Sequence, residues 1–232
     1  YGDHRDLHLS IRRQRQMCIR DRYLTTSAKS AGADAALLVT PYYNKPTQEG
    51  LYLHYQLIAD EVDLPQILYN VPSRTGCDLL NETVLRLVDH QNIVGLKDAT
   101  GDLGRLEDFM TNLASEQKDN FALYSGDDPT ATEFMINGGT GTISVTSNIV
   151  PKTISNICDY ALSGEAKAAR ELDATLVRLN QILFIESNPI PIKWMLNRIG
   201  RITDGIRLPL SHLDTKFHDE AEEVLAELNL LN

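Results

Sequence analysis

The sequence has 232 residues, of which 42% are hydrophobic, 23% charged and 6% aromatic. This composition excludes a disordered, collagen-like or disulfide-scaffold chain, and the absence of any run of about 18 apolar residues argues against a transmembrane helix. The formal net charge of −10 argues against nucleic-acid binding over the whole surface. The three cysteines show no CxxC spacing, which argues against a disulfide framework or a cysteine zinc site and favours a reducing, cytoplasmic location.

The first 22 residues differ from the rest of the chain in charge. They carry six Arg and three Asp, a formal charge of +3, whereas the remaining residues carry −13. Such a step indicates a tail or a foreign segment, and the string from Gln14 to Arg22 resembles the spurious translated ends of assembled environmental sequences. We therefore expect residues 1–22 to be non-native and leave them out of the fold prediction. The alternatives are an ordinary surface segment and a basic functional arm.

From Tyr23 onward the chain shows regular hydrophobic patterning. A helix is predicted to end near Ala31, before Gly32. Continuous apolar runs then predict five strands that are parallel and covered on both faces: Ala36–Thr40, Gln66–Val71, Ile93–Ala99, Phe121–Ser125 and Gly141–Thr146. Helical spacing predicts the intervening and following helices: Gln48–Val62, Asn81–Asp89, Asp102–Gln117, Pro129–Asn137, Lys152–Leu162, Glu165–Phe184, Pro191–Arg198 and Asp214–Leu228.

Alternating strands and helices fit two architectures, an open doubly wound sheet and a closed (β/α)8 barrel. The sequence contains neither GxGxxG nor GxxxxGK[ST], the usual phosphate-binding signatures of nucleotide-binding open sheets. Polar residues cluster just after the apolar runs, and in a barrel these strand ends form the active-site face. The pattern favours the barrel without deciding it.

Lys97 is the most informative single residue, because it lies inside the apolar run Ile93–Ala99. Burying an ammonium is costly. The side chain therefore either extends to solvent or pairs with a carboxylate, or it is a desolvated amine with a depressed pKa that forms a Schiff base with a ketone.

Other candidates lie at the ends of further predicted strands. Tyr69 is either a core aromatic or a proton relay, the latter if its pKa is lowered. Arg74, in a Pro/Gly loop, either meets solvent or binds a carboxylate in a bidentate manner. Tyr42 and Tyr43 point to opposite faces if the strand continues that far, so at most one faces a given site. Gly126 either makes a turn or allows a ligand close to the backbone. The six histidines show no HExxH or other ligand spacing, so a metal-centred mechanism is unsupported.

Together these residues resemble the 4-hydroxy-tetrahydrodipicolinate synthase family, the pyruvate-dependent class I aldolases of the diaminopimelate route to lysine. The resemblance extends from about Tyr23 to Leu231. The motifs that carry it are Thr40-Pro41-Tyr42-Tyr43-Asn44, Leu68-Tyr69-Asn70-Val71-Pro72-Ser73-Arg74-Thr75-Gly76, Gly95-Leu96-Lys97-Asp98-Ala99-Thr100, Ser125-Gly126-Asp127-Asp128 and Asn188-Pro189-Ile190-Pro191-Ile192-Lys193. One departure is Asp98, where many family members carry Glu.

The resemblance implies a (β/α)8 barrel with a C-terminal helical domain, which divides this chain into residues 23–163 and 164–232, and a homotetramer. It implies that Lys97 forms the Schiff base with pyruvate, that Tyr69 relays protons, and that Tyr43 reaches into a neighbouring subunit's site. Arg74 would bind the carboxylate of L-aspartate 4-semialdehyde.

The resemblance also implies that the backbone around Gly126 and Ile143 lines the pyruvate pocket. Tyr42 would lie near the lysine pocket of feedback-inhibited members. The family chemistry needs no organic cofactor or metal.

Two alternatives stay open. Related sugar-acid and sialic-acid aldolases share the lysine and tyrosine but usually lack the Ser-Arg-Thr-Gly sequence found at residues 73–76. The chain is alternatively an inactive, N-terminally truncated fragment, since the family's early Gly-Thr-Thr-Gly-Glu-type loop does not occur in it. For the 232-residue chain alone we expect poor solubility and little activity, because five strands of a parallel barrel leave two open edges and an uncovered interior.

Overall fold

The computed structural model describes residues 19–118 and 120–231. These residues form two compact units. The first unit runs up to Gly126 and includes Gly138–Thr140; the second contains Asp127–Asn137 and the chain from Gly141 onward. The prediction that residues 1–22 are non-native falls mainly on residues 1–18, which lie outside the described residues, while residues 19–22 are helical. The predicted division of the chain between residues 163 and 164 stays a prediction.

The first unit alternates strands and helices as predicted. Helix α1 covers residues 19–30. It is followed by β1 (Ala36–Val39), α2 (Gln48–Glu61), β2 (Gln66–Asn70), α3 (Pro72–Thr75), α4 (Asn81–Leu85), β3 (Ile93–Asp98), α5 (Leu103–Asn112), α6 (Ser115–Lys118) and β4 (Ala122–Ser125).

Local caps set several of these helix boundaries. The Thr47 and Asp102 side chains accept hydrogen bonds from the backbone amides of Gly50 and Gly104, and they thereby start α2 and α5. The one-turn helix α3 was not predicted. It ends at Gly76, whose φ of +62° is in the left-handed region that favours glycine.

Strands β1 to β4 pair in parallel, each with the next along the chain. Tyr69 is paired with Lys97, and Asn70 is paired with Asp98. Because successive side chains of a strand point to opposite faces, Tyr69 and Lys97 share one face of the sheet while Asn70 and Asp98 share the other. The register therefore divides the polar residues at these strand ends into two sets.

Coverage of the two sheet faces differs from the prediction. On the face of Tyr69, the β1 side chains Leu37 and Val39 are 44% and 39% exposed, whereas Leu68 and Leu96 on the other face are 0% and 4% exposed. The prediction that both faces are covered is therefore wrong for β1. The face of Leu68 and Leu96 is buried. The face of Tyr69 is the concave face of a curved parallel sheet, which is normally covered by side chains from other strands of the same barrel. The side chains of β1–β4 do not cover Leu37 and Val39 on this face.

Gly95 of β3 lies too close to the backbone of β4 to carry a side chain. A Cβ atom at this position would lie 2.6 Å from the backbone oxygen of Ala122. We expect Gly95→Ala to lower the free energy of unfolding by about 1–3 kcal/mol, because the backbone of β4 must move. Urea unfolding measures this loss. Gly50→Ala is the control, since its nearest neighbour lies at 3.3 Å; an equal loss in both variants would contradict the steric explanation.

The second unit is mainly helical, in agreement with the predicted helical close of the chain. It contains α7 (Ala131–Ile136), β5 (Gly141–Thr142), α8 (Pro151–Leu162), α9 (Ala166–Asp173), α10 (Val177–Ile182), α11 (Ile190–Arg198) and α12 (His218–Glu227). Its core joins residues from most of these helices, among them Ile157, Ala169, Leu179, Met195 and Val224.

Two predicted elements of this unit are wrong in extent. The single helix predicted over Glu165–Phe184 is interrupted by a 3-10 turn at Ala174–Leu176, where the Thr175 hydroxyl donates to the Leu172 carbonyl at 2.6 Å and so competes with the helical backbone bonds. The predicted strand Gly141–Thr146 ends at Thr142, and the Asp128 carboxylate accepts the amides of the last two predicted strand residues at 2.9 and 3.1 Å. In both places a side chain takes a backbone partner that regular structure would have used.

Among the described residues, no helix combines the length and apolarity needed to span a bilayer.

Candidate active site

The centre of the candidate site is the pair formed by Lys97 and Tyr69 on neighbouring strands. Lys97 is 9% exposed, and its Nζ lies 4.3 Å from the centroid of the Tyr69 ring. Parallel pairing in register places the two residues side by side. The solvent-extended lysine considered from the sequence is therefore wrong. The carboxylate-paired lysine and the Schiff-base lysine both stay predictions. The predicted depression of the Lys97 pKa stays a prediction.

The pKa of Tyr69 is shifted in the direction opposite to the one expected for a proton relay. Burial raises the pKa of the Tyr69 phenol above its ordinary value, and the nearby charge of Arg74 lowers it by a smaller amount. The lowered pKa that we required for a proton relay is therefore absent in this structure. A phenol with a raised pKa keeps its proton at neutral pH, so it is available as a hydrogen-bond donor and an acid.

Gly126 follows β4 and lies against the lysine. Its amide donates to the Asp98 carbonyl at 2.7 Å, and a Cβ atom at position 126 would lie 2.6 Å from Lys97 Cε and 2.9 Å from Ala99 Cβ. Close approach to the Lys97 side chain and to Ala99, rather than a left-handed turn, therefore requires glycine here. The sequence analysis considered a turn glycine and a glycine that allows a ligand close to the backbone. Neither interpretation identified the packing of Lys97 against Gly126.

Arg74 lies in α3, directly after β2, and its side chain is exposed. The helix begins at Pro72, which fixes φ at its first position, and it ends at the left-handed Gly76. The charge of Arg74 acts on the Tyr69 phenol. Its guanidinium is thus held near the Lys97–Tyr69 pair and is accessible to a carboxylate.

The remaining predicted residues follow other strands. Tyr43 and Tyr42 follow β1 in a loop and are 69% and 47% exposed, so neither is packed in the core of its unit. Ile143, 38% exposed, comes directly after β5 and belongs to the second unit. Among the residues that the structure describes, no three His, Cys, Asp or Glu side chains are grouped as metal ligands would be.

A buried polar network behind the pair was missed by the sequence analysis. Asn70 and Asp98 occupy the sheet positions directly after Tyr69 and Lys97, and Arg105 of α5 joins Asp98 to Asp78. The sequence did contain a signal: a candidate site residue is followed directly by a polar residue in both Tyr69-Asn70 and Lys97-Asp98. Without the strand register, this signal did not show that Asn70 and Asp98 belong to one network with Arg105.

Comparison with known proteins identifies the family. A model of the dihydrodipicolinate synthetase family matches residues 22–228. The chain is 54% identical over 208 residues to the 4-hydroxy-tetrahydrodipicolinate synthase of Pseudomonas syringae pv. syringae, covering 90% of this chain and 70% of that protein. It is 52% identical to the Pseudomonas aeruginosa protein of the same name, with the same coverage. This chain belongs to the dihydrodipicolinate synthetase family.

Solved members of the dihydrodipicolinate synthetase family share the fold. The dihydrodipicolinate synthase of Acinetobacter baumannii, crystallised with pyruvate, superposes with a TM-score of 0.88 at 50% identity, covering 92% of this chain and 72% of that one. The lysine-bound enzyme from Cyanidioschyzon merolae gives 0.87 at 32% identity, with 92% and 72% coverage. The predicted fold class is confirmed: the chain has the α/β fold of the (β/α)8-barrel family, with helices at its C-terminal end.

Proposed function

We propose that this chain condenses pyruvate with L-aspartate 4-semialdehyde to 4-hydroxy-tetrahydrodipicolinate, through a Schiff base on Lys97. The lyase activity itself is the function its relatives carry at about 50% identity, and it serves the diaminopimelate route to lysine. The observation that supports the assignment to Lys97 is the buried amine 4.3 Å from the Tyr69 ring centroid, in register at the ends of β2 and β3.

The chemistry follows from the properties of an imine. The neutral amine of Lys97 attacks the ketone carbon of pyruvate, and water leaves as the carbon–nitrogen double bond forms. The protonated imine withdraws electrons, so the methyl group loses a proton and gives an enamine. The enamine carbon then attacks the aldehyde carbon of the semialdehyde, and the carbonyl oxygen takes up a proton, which restores the imine to Lys97. The amino group of the former semialdehyde attacks the imine carbon, the ring closes with a new carbon–nitrogen double bond, and the Lys97 amine leaves.

Tyr69 is the group proposed to handle protons in these steps. Its raised pKa keeps the phenol protonated, so it can donate a proton to the hydroxyl that leaves as water during imine formation. Gly126 lets Lys97 Cε pack against the backbone, where a Cβ atom would lie only 2.6 Å away, and the backbone around Gly126 is proposed to line the pyruvate pocket.

We further propose an assembly and a regulator. Tyr43, 69% exposed in the loop after β1, has the exposure required to reach a neighbouring subunit's site in a homotetramer. A solved relative is described with lysine bound, so lysine is proposed as a feedback inhibitor, with Tyr42 near its pocket. A cytoplasmic location fits the two cysteines in the described chain, Cys77 and Cys158, both of which are free thiols.

A substrate comparison tests the proposed activity. The chain is incubated with pyruvate and either L-aspartate 4-semialdehyde or a polyhydroxylated sugar aldehyde, and product formation is followed by mass spectrometry. We expect a condensation product with the semialdehyde only, formed slowly because little activity is expected from these 232 residues alone. Product with the sugar aldehyde alone would favour a sugar-acid aldolase, and no product with either aldehyde would refute the proposed activity of this chain.

Arg74→Ala is expected to weaken use of the semialdehyde far more than imine formation. A charge-assisted hydrogen bond contributes about 1.5–3 kcal/mol, so the KM for the semialdehyde should rise about 10- to 150-fold, while the rate of imine formation with pyruvate changes less than about threefold. Steady-state kinetics and borohydride trapping measure the two effects. Equal losses in both would indicate a structural role for Arg74.

A further inference from the structure

The polar network behind the sheet is built around a single guanidinium. Arg105 uses three nitrogen atoms: Nε contacts Asp98 at 3.2 Å, Nη1 contacts Asp78 at 3.0 Å, and Nη2 donates to the Leu79 carbonyl at 2.8 Å. The Arg105 side chain is 17% exposed and that of Asp98 is 9% exposed. This planar fork has no equivalent in a lysine, which presents one compact ammonium.

Asn70 links the same network to the end of β2. Its amide nitrogen donates to Asp78 at 2.8 Å, and its amide oxygen accepts from the Leu79 amide at 2.9 Å. Asn70 is 0% exposed. The last residues of β2 and β3, Asn70 and Asp98, share a direct hydrogen bond in which Asn70 Nδ2 donates to Asp98 Oδ1 at 3.4 Å. The shorter contacts between the two strand ends run through Arg105 and the segment that follows α3.

The network lies directly behind Tyr69 and Lys97. Asn70 and Asp98 directly follow Tyr69 and Lys97 in the chain and point to the opposite face of the sheet. The network therefore lies on the sheet face opposite Lys97 and Tyr69, and it fixes the backbone from which both side chains extend. Because misplacement of a reacting group by about 1 Å costs about 10²-fold in rate, the fixing of these strand ends affects catalysis.

We propose that Arg105 is a positioning residue of the reaction, which ties the ends of β2 and β3 together behind the sheet and so holds Lys97 against Tyr69. This inference rests on the proposed function, because it assigns the network's effect to the Schiff-base lysine.

The test compares Arg105→Gln with Arg105→Lys and with Arg86→Gln. Arg86 is a matched control: it pairs with Glu49 at 2.8 Å and covers the Tyr52 ring, but it is exposed. At saturating pyruvate and under conditions in which every variant is folded, Arg105→Gln should slow imine formation, measured by borohydride quench, about 10²-fold. Arg86→Gln should change it less than about twofold. Arg105→Lys should restore little of the rate, since it keeps the charge without the fork.

Hydrogen exchange provides a second readout that is independent of catalysis. The Ala99 amide donates to the Asn70 carbonyl and the Gly126 amide to the Asp98 carbonyl, whereas the Thr40 amide donates to Tyr69 at the β1–β2 pair. In Arg105→Gln the first two amides should exchange about tenfold faster, with the Thr40 amide unchanged.

The outcomes separate this inference from the proposed function. An unchanged imine rate in folded Arg105→Gln, an equal loss in Arg86→Gln, full rescue by Arg105→Lys, or unchanged exchange at Ala99 and Gly126 would each overturn the positioning role. If the unsubstituted chain forms no adduct at Lys97, the Schiff-base assignment fails. Exchange then decides whether Arg105 fixes the strand ends: accelerated exchange supports that part, and unchanged exchange refutes it.

Discussion

Lys97→Ala is expected to abolish the covalent pyruvate adduct of this chain. The imine needs a primary amine at the position where Lys97 Nζ lies, 4.3 Å from the Tyr69 ring centroid, and alanine supplies none. The variant should also form no condensation product, because the enamine arises only from the imine. The measurement is borohydride reduction in the presence of pyruvate, followed by peptide mapping of the modified residue by mass spectrometry.

The control for this variant is a second lysine. Lys45→Ala removes an exposed amine from the loop that precedes α2, so trapping at residue 97 should persist in it. If trapping survives Lys97→Ala, the Schiff-base assignment is refuted. If the trapped residue in the unsubstituted chain is a different lysine, the assignment is refuted as well, whatever the activity of the variant.

Gly126→Ala is expected to reduce imine formation about a hundredfold or more. The added Cβ would lie 2.6 Å from Lys97 Cε, closer than real Cβ atoms approach a neighbour. The lysine side chain is the flexible partner in this contact, since the other near atom, Ala99 Cβ at 2.9 Å, is fixed to the backbone. We therefore expect the chain to fold while the amine is displaced from Tyr69.

Gly95→Ala is the matched control for Gly126→Ala. Its Cβ would also lie 2.6 Å from a neighbour, but that neighbour is the backbone oxygen of Ala122. Gly95→Ala should therefore lose stability with little change in the imine rate of the folded protein. Gly126→Ala should lose the imine rate in the folded protein, together with some stability, because Ala99 Cβ at 2.9 Å is fixed to the backbone. Borohydride quench gives the rates, and urea unfolding gives the stabilities. An unchanged imine rate in Gly126→Ala would mean that Lys97 does not react from the position seen here.

The acid–base properties of the network add a constraint on these experiments. Burial raises the pKa of the Asp98 carboxyl, against the lowering effects of Arg105 and of hydrogen bonds from Thr100. Since the folded state then binds a proton more tightly than the unfolded chain, the contribution of Asp98 to stability is present below its unfolded pKa and decreases as pH rises through its folded pKa. Variants of Arg105 are therefore compared at one fixed pH, because loss of the Arg105 charge raises the pKa of Asp98 further.

The sequence by itself determined the order of the elements and indicated which residues are candidates for the reaction. Apolar runs and helical spacing are local properties of the chain, so they located β1 to β4 to within one or two residues at most ends. A lysine inside an apolar strand is also a local anomaly, and together with the motifs around Tyr69 and Arg74 it indicated the family that the comparisons later identified.

Only the tertiary structure decided how these residues meet. The pairing of Tyr69 with Lys97, the contact of Gly126 with Lys97 Cε, and the three contacts of Arg105 join residues up to 29 positions apart. The same holds for the predicted strand Gly141–Thr146, which ends early because Asp128 takes the amide of Val145, 17 positions away. The contact of Thr175 with Leu172 is local, but the helical spacing of apolar residues does not encode it. Strand register and side-chain partners depend on packing between distant segments, and no local period of the sequence encodes them.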